Sequence, residues 1–561
     1  MKGVPLFLLL TLVCSAEVRL PAIFSDNLVL QQRSGNPIWG WAAPKEKVTL
    51  KTSWGETYSA TPGSDGRWMV LAYTPKAGTG HQITVKGSNE IVLKNVAIGE
   101  VWLCAGQSNM GWSTGNSFEA EKEAEVNLPG FRIYRSAREH WHEPLKENRD
   151  RLARWKPCDP QSAAETSAVS YYFGKKIHEV LGVPVGIIQR AYAGTPIEGW
   201  MPWDAQRDDP RAQAHKRAYD LAAKRLQARG ASREKALAAF DKELAEYNAK
   251  IDRGETMKNP FKPLAPPTIT KPSDLGHQYP AHIFNAMIVP IRPYAIRGMI
   301  WYQGERNAKN APQAEHYGIQ LRRLIDYYRS SWHGASWGAV NEGFPVQFTQ
   351  LPSWNPPQSK PVEGPEAPWA VSRESMRRVS LELYDTAMAV TIDTGDAVSL
   401  HPKNKKPIGL RHAYLALGKT YGLPIVHEGP VLIGQEVKGA KMVLRFGSVG
   451  SGLMPARPGK PDAFALAGKD RVWHWADAKI EKDSIILSSP KVGKPVAARY
   501  AWAMNPSRRN LLYNKEGFPA SPFRTDDWPL YDPDAELIEV NKPEKPKGYQ
   551  SEDWERPTIP E

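Results

Sequence analysis

The 561-residue sequence predicts an α/β protein with a parallel-sheet domain, a β-sandwich region on either side of it, and a helical insert. Three observations predict this. From Gly99 onward, strand-like apolar runs alternate with stretches of helical spacing, the pattern of a parallel sheet covered by helices. Before Gly99, and again after about Pro424, short alternating strands are separated by Gly, Pro and Asp turns. Between the two halves of the α/β pattern, Leu237, Phe240, Leu244, Tyr247 and Ile251 recur at spacings of 3 and 4, a helical stripe. A hydrophobic content of 41% and a charged content of 24% fit a globular chain with an ample core, not a disordered or membrane protein.

The elements follow in order. Lys2 leads an apolar run from Val4 to Val13, then Cys14-Ser15-Ala16, so residues 1–16 read as a signal peptide cleaved after Ala16. The run is too short to span a bilayer. Acylation of Cys14 is the lesser alternative, because Val13 is not the small residue such a site prefers. The expected location is periplasmic or extracellular.

Residues 17–98, with "NPIWGWAAPKEKVTL", "GSDGRWMVLAY" and "HQITVKG", read as a β-sandwich-like domain. Residues 99–204 open the α/β domain, with a helix over "SAVSYYFGKKIHEVLG" stopped by Gly182. The helical hairpin and a Pro-rich connector occupy 205–273, with Gly230 as the break and Ser232 as the next cap. The insert reads equally as a substrate wall and as a tolerated insertion. The α/β pattern resumes over 274–423 through "AIRGMIWYQGE", "HYGIQLRRLIDYYRSSW", "FPVQFTQLP" and "TAMAVTIDTGD". Residues 424–533 are a second β domain, and the Pro-, Glu- and Lys-rich end, 534–561, is expected to be loose. No internal repeat is present.

Ligands of parallel sheets sit on loops at the carboxyl ends of strands. Four such loops carry unusual residues: Gly106-Gln107-Ser108-Asn109-Met110; Ala193-Gly194-Thr195 with Glu198 and Trp200; Trp301-Tyr302-Gln303-Gly304-Glu305; and Asp393-Thr394-Gly395-Asp396 leading to His401. Together they supply the parts of acyl transfer. A serine hydroxyl, Ser108, needs a base to take its proton, and His401 is the candidate. A tetrahedral oxyanion needs preorganised donors, for which the Ser108 and Gly194 N–H groups and the Gln303 amide are candidates. Glu305 reads as a partner for Arg306 or a helix cap.

Other chemistries find little support. The Gly-x-Ser-x-Gly elbow, the zinc motif His-Glu-x-x-His and the P-loop are all missing from the sequence. His140 and His142 in "EHWHE" share a face if extended, but nearby ligands are lacking, so a loop is preferred to a metal site. Cys104 lies inside the strand before Gly106 and reads as packing; with Cys158 it leaves room for at most one disulfide. The formal net charge of +13 is spread along the chain and reads first as a solvated basic surface; an acidic partner such as a sialylated, uronic or sulfated glycan is the alternative, and no nucleic-acid motif accompanies it.

These loops resemble the sialate O-acetylesterase family of the SGNH-hydrolase superfamily, through "GEVWLCAGQSNM", "AGTPIEGW", "IRGMIWYQGERNA" and "HPKNKKPIGLR". "LPAIFSDNLVLQQ", "RYAWAMNP" and "LLYNKEGFPASPFRTDDWP" extend the resemblance over nearly the whole mature chain. It implies a flavodoxin-like SGNH hydrolase domain and a serine esterase that needs no cofactor or metal. Carried over by position, Ser108 is the nucleophile and His401 the base, with Ser108, Gly194 and Gln303 as the oxyanion hole. The sequence departs from the pattern at Ala193, where Gly is usual, and at Arg306, where Ser is usual. It also has Val398 and Ser399 where the family often has an acid before the histidine. Asp396 is the remaining candidate for a third member. Trp112, Trp200 and Tyr302 are candidates for the floor of a sugar site, or for core packing.

The expected activity is removal of O-acetyl groups from carbohydrate, foremost O-acetylated sialic acid, through an acetyl-enzyme. Acetylated xylan or another polysaccharide is the alternative substrate. A degenerate, non-catalytic glycan-binding protein is the alternative of another class. The expected partner is the acetylated glycan, with no nucleic acid and no membrane span.

Overall fold

The computed structural model describes residues 17–123, 125–227, 233–255, 276–550 and 556–560. The expected signal peptide, the break and cap at Gly230 and Ser232, and the Pro-rich connector after Glu255 lie outside the described residues.

A mixed sheet forms the centre. Six strands run parallel in the spatial order Thr386–Ala389, Val346–Thr349, Gly298–Tyr302, Glu90–Gly106, Val185–Ala191, Leu128–Arg135, and Arg154–Cys158 adds an antiparallel edge. Gly298–Tyr302 and the last six residues of Glu90–Gly106 are apolar and buried at every position because both faces are covered. Alternate side chains enter different cores. Trp102, Cys104, Ile300 and Tyr302 pack with Phe173, Ile177 and Ile408, against helices Ala168–Leu181 and Lys406–Leu415. Leu103, Ala105, Met299 and Trp301 pack with Leu321, Leu324, Tyr328 and Trp332 of helix Ala311–Ala335.

The helix expected over Ser167–Gly182 forms over Ala168–Leu181. Ser167 Oγ accepts from the Ser170 N–H (3.2 Å), and Gly182, at φ +64°, donates its N–H to the His178 carbonyl (3.0 Å). Asn310 caps helix Ala311–Ala335 by accepting from the Gln313 N–H (3.0 Å), so that helix begins earlier than the periodicity alone suggests.

The expected boundary at 98/99 falls inside one continuous 17-residue strand, Glu90–Gly106. Its first half pairs antiparallel with Gly78–Lys86, and its last seven residues pair parallel with Val185–Ala191. The N-terminal β region therefore shares a sheet and a core with the α/β domain: Ile38, Trp39 and Leu93 belong to the same apolar cluster as Trp301 and Leu321. The second β domain has a core of its own, although Trp502 and Met504 join the central cluster. Two four-stranded antiparallel sheets enclose Met442, Leu444, Leu466, Ile485 and Tyr500.

The insert forms helices Pro210–Gln227 and Arg233–Asp252. Phe240 stacks near Trp141 (5.6 Å between centroids), and Tyr247 is buried. The chain end, described over 534–550 and 556–560, forms no helix or strand and is mostly exposed, but it touches the body at several points. The Val540 N–H donates to the Lys309 carbonyl (2.7 Å), the Tyr549 hydroxyl to Asp396 (2.8 Å) and the Tyr414 hydroxyl to the Pro560 carbonyl (3.0 Å), and Ile559 is buried. Backbone and side-chain hydrogen bonds hold a segment whose composition alone carries no core.

Candidate active site

The Glu90–Gly106 strand lies between Val185–Ala191 and Gly298–Tyr302, and the three strands end together. Gly106 is what lets the chain turn there. Its φ is +147°, and a Cβ would stand 2.1 Å from the Tyr302 carbonyl oxygen. The Gln107 N–H then donates to that carbonyl (3.0 Å), and the next residues coil into a single helical turn, Ser108–Gly111. Ser108 thus sits at the first position of a helix, where backbone N–H groups have no partner within the helix.

His401 Nε2 lies 2.8 Å from Ser108 Oγ, although 293 residues separate them. Trp112 stacks on the imidazole with centroids 5.5 Å apart and planes at 22°. Burial pushes the His401 pKa down to about 4, helped by the positive charges of Lys405 and Lys542. The ring is therefore neutral, and able to accept a proton, across the physiological range. Serine and histidine open into a cleft of about 630 Å³, whose lining includes Trp112, Asn116, Arg135, Arg138 and Ala193.

Asp396 does not orient the imidazole. It accepts from the Val398 and Ser399 backbone N–H groups (2.8 and 2.7 Å) and from the Tyr549 hydroxyl, which shapes the turn before the histidine. Asp393 is held by a bidentate pair with Arg411 (2.6 Å to each oxygen) and by the Tyr513 hydroxyl. Among the described residues, no carboxylate bonds the His401 ring.

Gln303 is fully buried, and both hydrogens of its amide are committed, to the Thr195 carbonyl (3.2 Å) and to Asn307 Oδ1 (2.8 Å). It ties the 193–195 loop to the 303–307 loop instead of pointing into the cleft, which corrects its expected place in an oxyanion hole. Gly194 adopts φ +72°, one residue beyond the cleft-lining Ala193. Trp200 and Tyr302 are also fully buried. Trp200 donates to Thr195 Oγ1 (2.9 Å) and meets Trp301 edge-on, so both belong to the core and only Trp112 faces the cleft. Arg306 reaches Gln278 Oε1 (2.8 Å), which also accepts from Tyr219 of the insert (2.7 Å). Glu305 bonds Asn109, not Arg306.

Cys104 and Cys158 are free and buried, and burial pushes the Cys104 thiol up to about 12, so neither forms the disulfide left open nor serves as a nucleophile. His140 contacts the Tyr192 hydroxyl (3.3 Å), and among the described residues no group of three ligating side chains stands ready for a metal. No helix among them is long and apolar enough to cross a membrane. Lys405 is the residue that sequence reasoning missed. Its place inside "HPKNKKPIGLR" was the available signal, but only the fold shows which of three lysines turns inward.

Residues 98–240 and 271–343 match the family described as carbohydrate esterase, sialic acid-specific acetylesterase. The sialate O-acetylesterase of Mus musculus is 25% identical over 93% of this chain and 97% of its own. That of Homo sapiens is 24% identical over 93% and 96%. The crystal structure of a carbohydrate acetylesterase from Xanthomonas citri superposes with a TM-score of 0.73 at 28% identity, covering 91% of this chain and 100% of the other. The chain thus resembles the sialate O-acetylesterases along nearly its whole length, as the four loops imply. Like these relatives, it is a carboxylic ester hydrolase. The cleft is lined from the first matched segment, by Ser108, Trp112 and Ala193 among others, and from the region beyond the second, which carries His401.

Proposed function

We propose that the chain is an exported SGNH-type serine esterase that removes O-acetyl groups from carbohydrate, foremost from sialic acid, through a Ser108–His401 dyad. The observation that carries this reading is the 2.8 Å contact between Ser108 Oγ and a neutral imidazole at the open end of a central parallel strand. His401 takes the hydroxyl proton as Ser108 attacks the acetyl carbonyl, then gives it to the departing sugar oxygen. Water, activated by the same imidazole, releases acetate from the acetyl-serine. The oxyanion is received by the N–H groups of Ser108, at a helix start, and of Gly194, in a tight turn. Gln303 keeps the second and third loops in place around it.

Two features support an acidic sugar. Arg135 and Arg138 line the same cleft as the serine, and the chain carries a net charge of +13. Trp112 offers the apolar surface on which a pyranose ring packs. Export is supported by the charged, apolar and small-residue succession of residues 1–16.

The deciding experiment is acetate release from an aryl acetate, an O-acetylated sialic acid and acetylated xylan by the chain from Glu17 onward and by its Ser108→Ala variant. Turnover is expected to fall on the order of 10⁴-fold in the variant. Unchanged release would overturn the assignment of Ser108. Preference for xylan over sialic acid would move the substrate to neutral polysaccharides. A folded protein that neither releases acetate nor labels with a fluorophosphonate would be a glycan-binding descendant.

A further inference from the structure

Asn109 joins three loops that are far apart in sequence. Its Nδ2 donates to the Leu400 carbonyl (3.0 Å), directly before His401, and to Glu305 Oε1 (2.5 Å). Its Oδ1 accepts from Lys405 Nζ (2.5 Å). Asn109 and Lys405 are both fully buried. The Lys405 ammonium stands 5.6 Å from the Tyr302 ring and 5.9 Å from the Trp112 ring, the same indole that stacks on His401. The amide thus lies between a cation and a carboxylate, one residue from Ser108 and one hydrogen bond from the His401 turn.

We infer that Asn109, clamped between Lys405 and Glu305, is the positioning residue that sets the register of Ser108 and His401, in place of an acid on the imidazole. This rests on the Ser108–His401 reading. An acid on Nδ1 would fix the ring directly; here the backbone that carries the ring is fixed instead. The chemistry requires an amide: two hydrogens go to Leu400 and Glu305, while the oxygen takes the lysine. A carboxylate has no hydrogen to donate and a hydroxyl has only one. Burial draws the Lys405 pKa down to about 7 and pushes Glu305 up, and where both are charged they polarise the amide between them. Leaving either ion buried without the other is costly, so the clamp holds as a unit.

The test measures kcat and KM on an aryl acetate, and the rate of fluorophosphonate labelling of Ser108, for wild type, Lys405→Met and Asn109→Asp. Displacement of reacting groups by about 1 Å costs on the order of 10²-fold, so kcat and labelling are expected to fall by about that factor with KM little changed. Lys405→Met carries a further signature. The charged groups acting on this site are Lys405, Glu305, His401 and Lys542. Removing the Lys405 cation is expected to move the acidic limb of kcat/KM to higher pH, which loss of packing alone would not do. Wild-type kcat, labelling and pH limb in Lys405→Met would overturn the inference. If that variant does not fold, the nearly isosteric Asn109→Asp decides. It keeps the lysine contact but cannot donate to Leu400, so wild-type kcat at an unchanged melting temperature would overturn the inference. If the wild type itself fails to label, the Ser108–His401 reading falls and takes the inference with it. If the wild type labels and the variants match it, the inference falls alone.

Discussion

Burial lowers the basicity of His401, and Lys405 and Lys542 lower it further. With a pKa of about 4, the acidic limb of kcat/KM on a neutral aryl acetate is expected near pH 4, well below the ordinary histidine range. A limb near pH 6.5, the unperturbed value, would show a solvated ring. The same groups bear on stability. His412 is fully buried, contacts Thr349 Oγ1 (2.8 Å) and has its pKa pushed down to about 3. Between about pH 3 and the unfolded value of about 6.5 the unfolded chain binds a proton that the folded chain does not. Stability therefore rises with pH through that window and is lost on acidification from about 6.5 downward; His401 adds the same sign. The urea midpoint is expected to be lower at pH 5 than at pH 7, and His412→Gln to flatten that dependence. Gln303→Ala is expected to cost about 1–3 kcal/mol of stability along with activity, because it leaves the Thr195 carbonyl without its donor and removes one of the two donors to Asn307 Oδ1.

At the scale of the element, the Glu90–Gly106 strand does the most. It carries the N-terminal sheet at one end and the nucleophile turn at the other. Its final glycine admits no side chain, since a Cβ would collide with the Tyr302 carbonyl at a φ that L residues rarely adopt. Gly106→Ala is expected to cost about 3 kcal/mol in urea unfolding and to abolish fluorophosphonate labelling, because the strand end and Ser108 move together. Full labelling in that variant would show that the turn tolerates a side chain. The insert helices are an element of another kind. Tyr219 shares Gln278 with Arg306, whose own N–H reaches Gln107 Oε1 (3.4 Å). That chain of contacts ties the insert to the residue before the nucleophile, while among the described residues none of the insert lines the cleft.

At the scale of the whole molecule, the chain end returns to the site. Tyr549 bonds Asp396, and Arg556 Nη1 donates to the Asp393 carbonyl (2.9 Å), so the last segment braces the turn that leads to His401. Truncation after residue 533 is expected to lower the melting temperature and to reduce kcat more than KM. Unchanged kinetics would show that the turn stands on its Asp396 backbone bonds alone. Composition gives this segment no core, and its hydrogen bonds to distant loops do not register in composition.

The sequence by itself determined the α/β class, the succession of strands and helices, and the strand-end loops that hold the candidate residues. Period-2 apolar runs, a Ser cap and a left-handed Gly are local facts, and local facts are legible in order along the chain. Ser108 and His401 were legible as candidates for a related reason: Ser108 lies just past an apolar strand and His401 on the longer loop after Thr386–Ala389, where a parallel sheet presents its loops. What only the tertiary structure decided are the relations across hundreds of residues. Gln303 turned out to hold loops, Trp200 and Tyr302 to fill the core, and Asp396 to shape a turn. Asn109, Lys405 and Glu305 came together from three separate loops. Sequence shows which hydrogen-bonding groups a residue owns; which partners they meet depends on how the sheet brings its strand ends together in space.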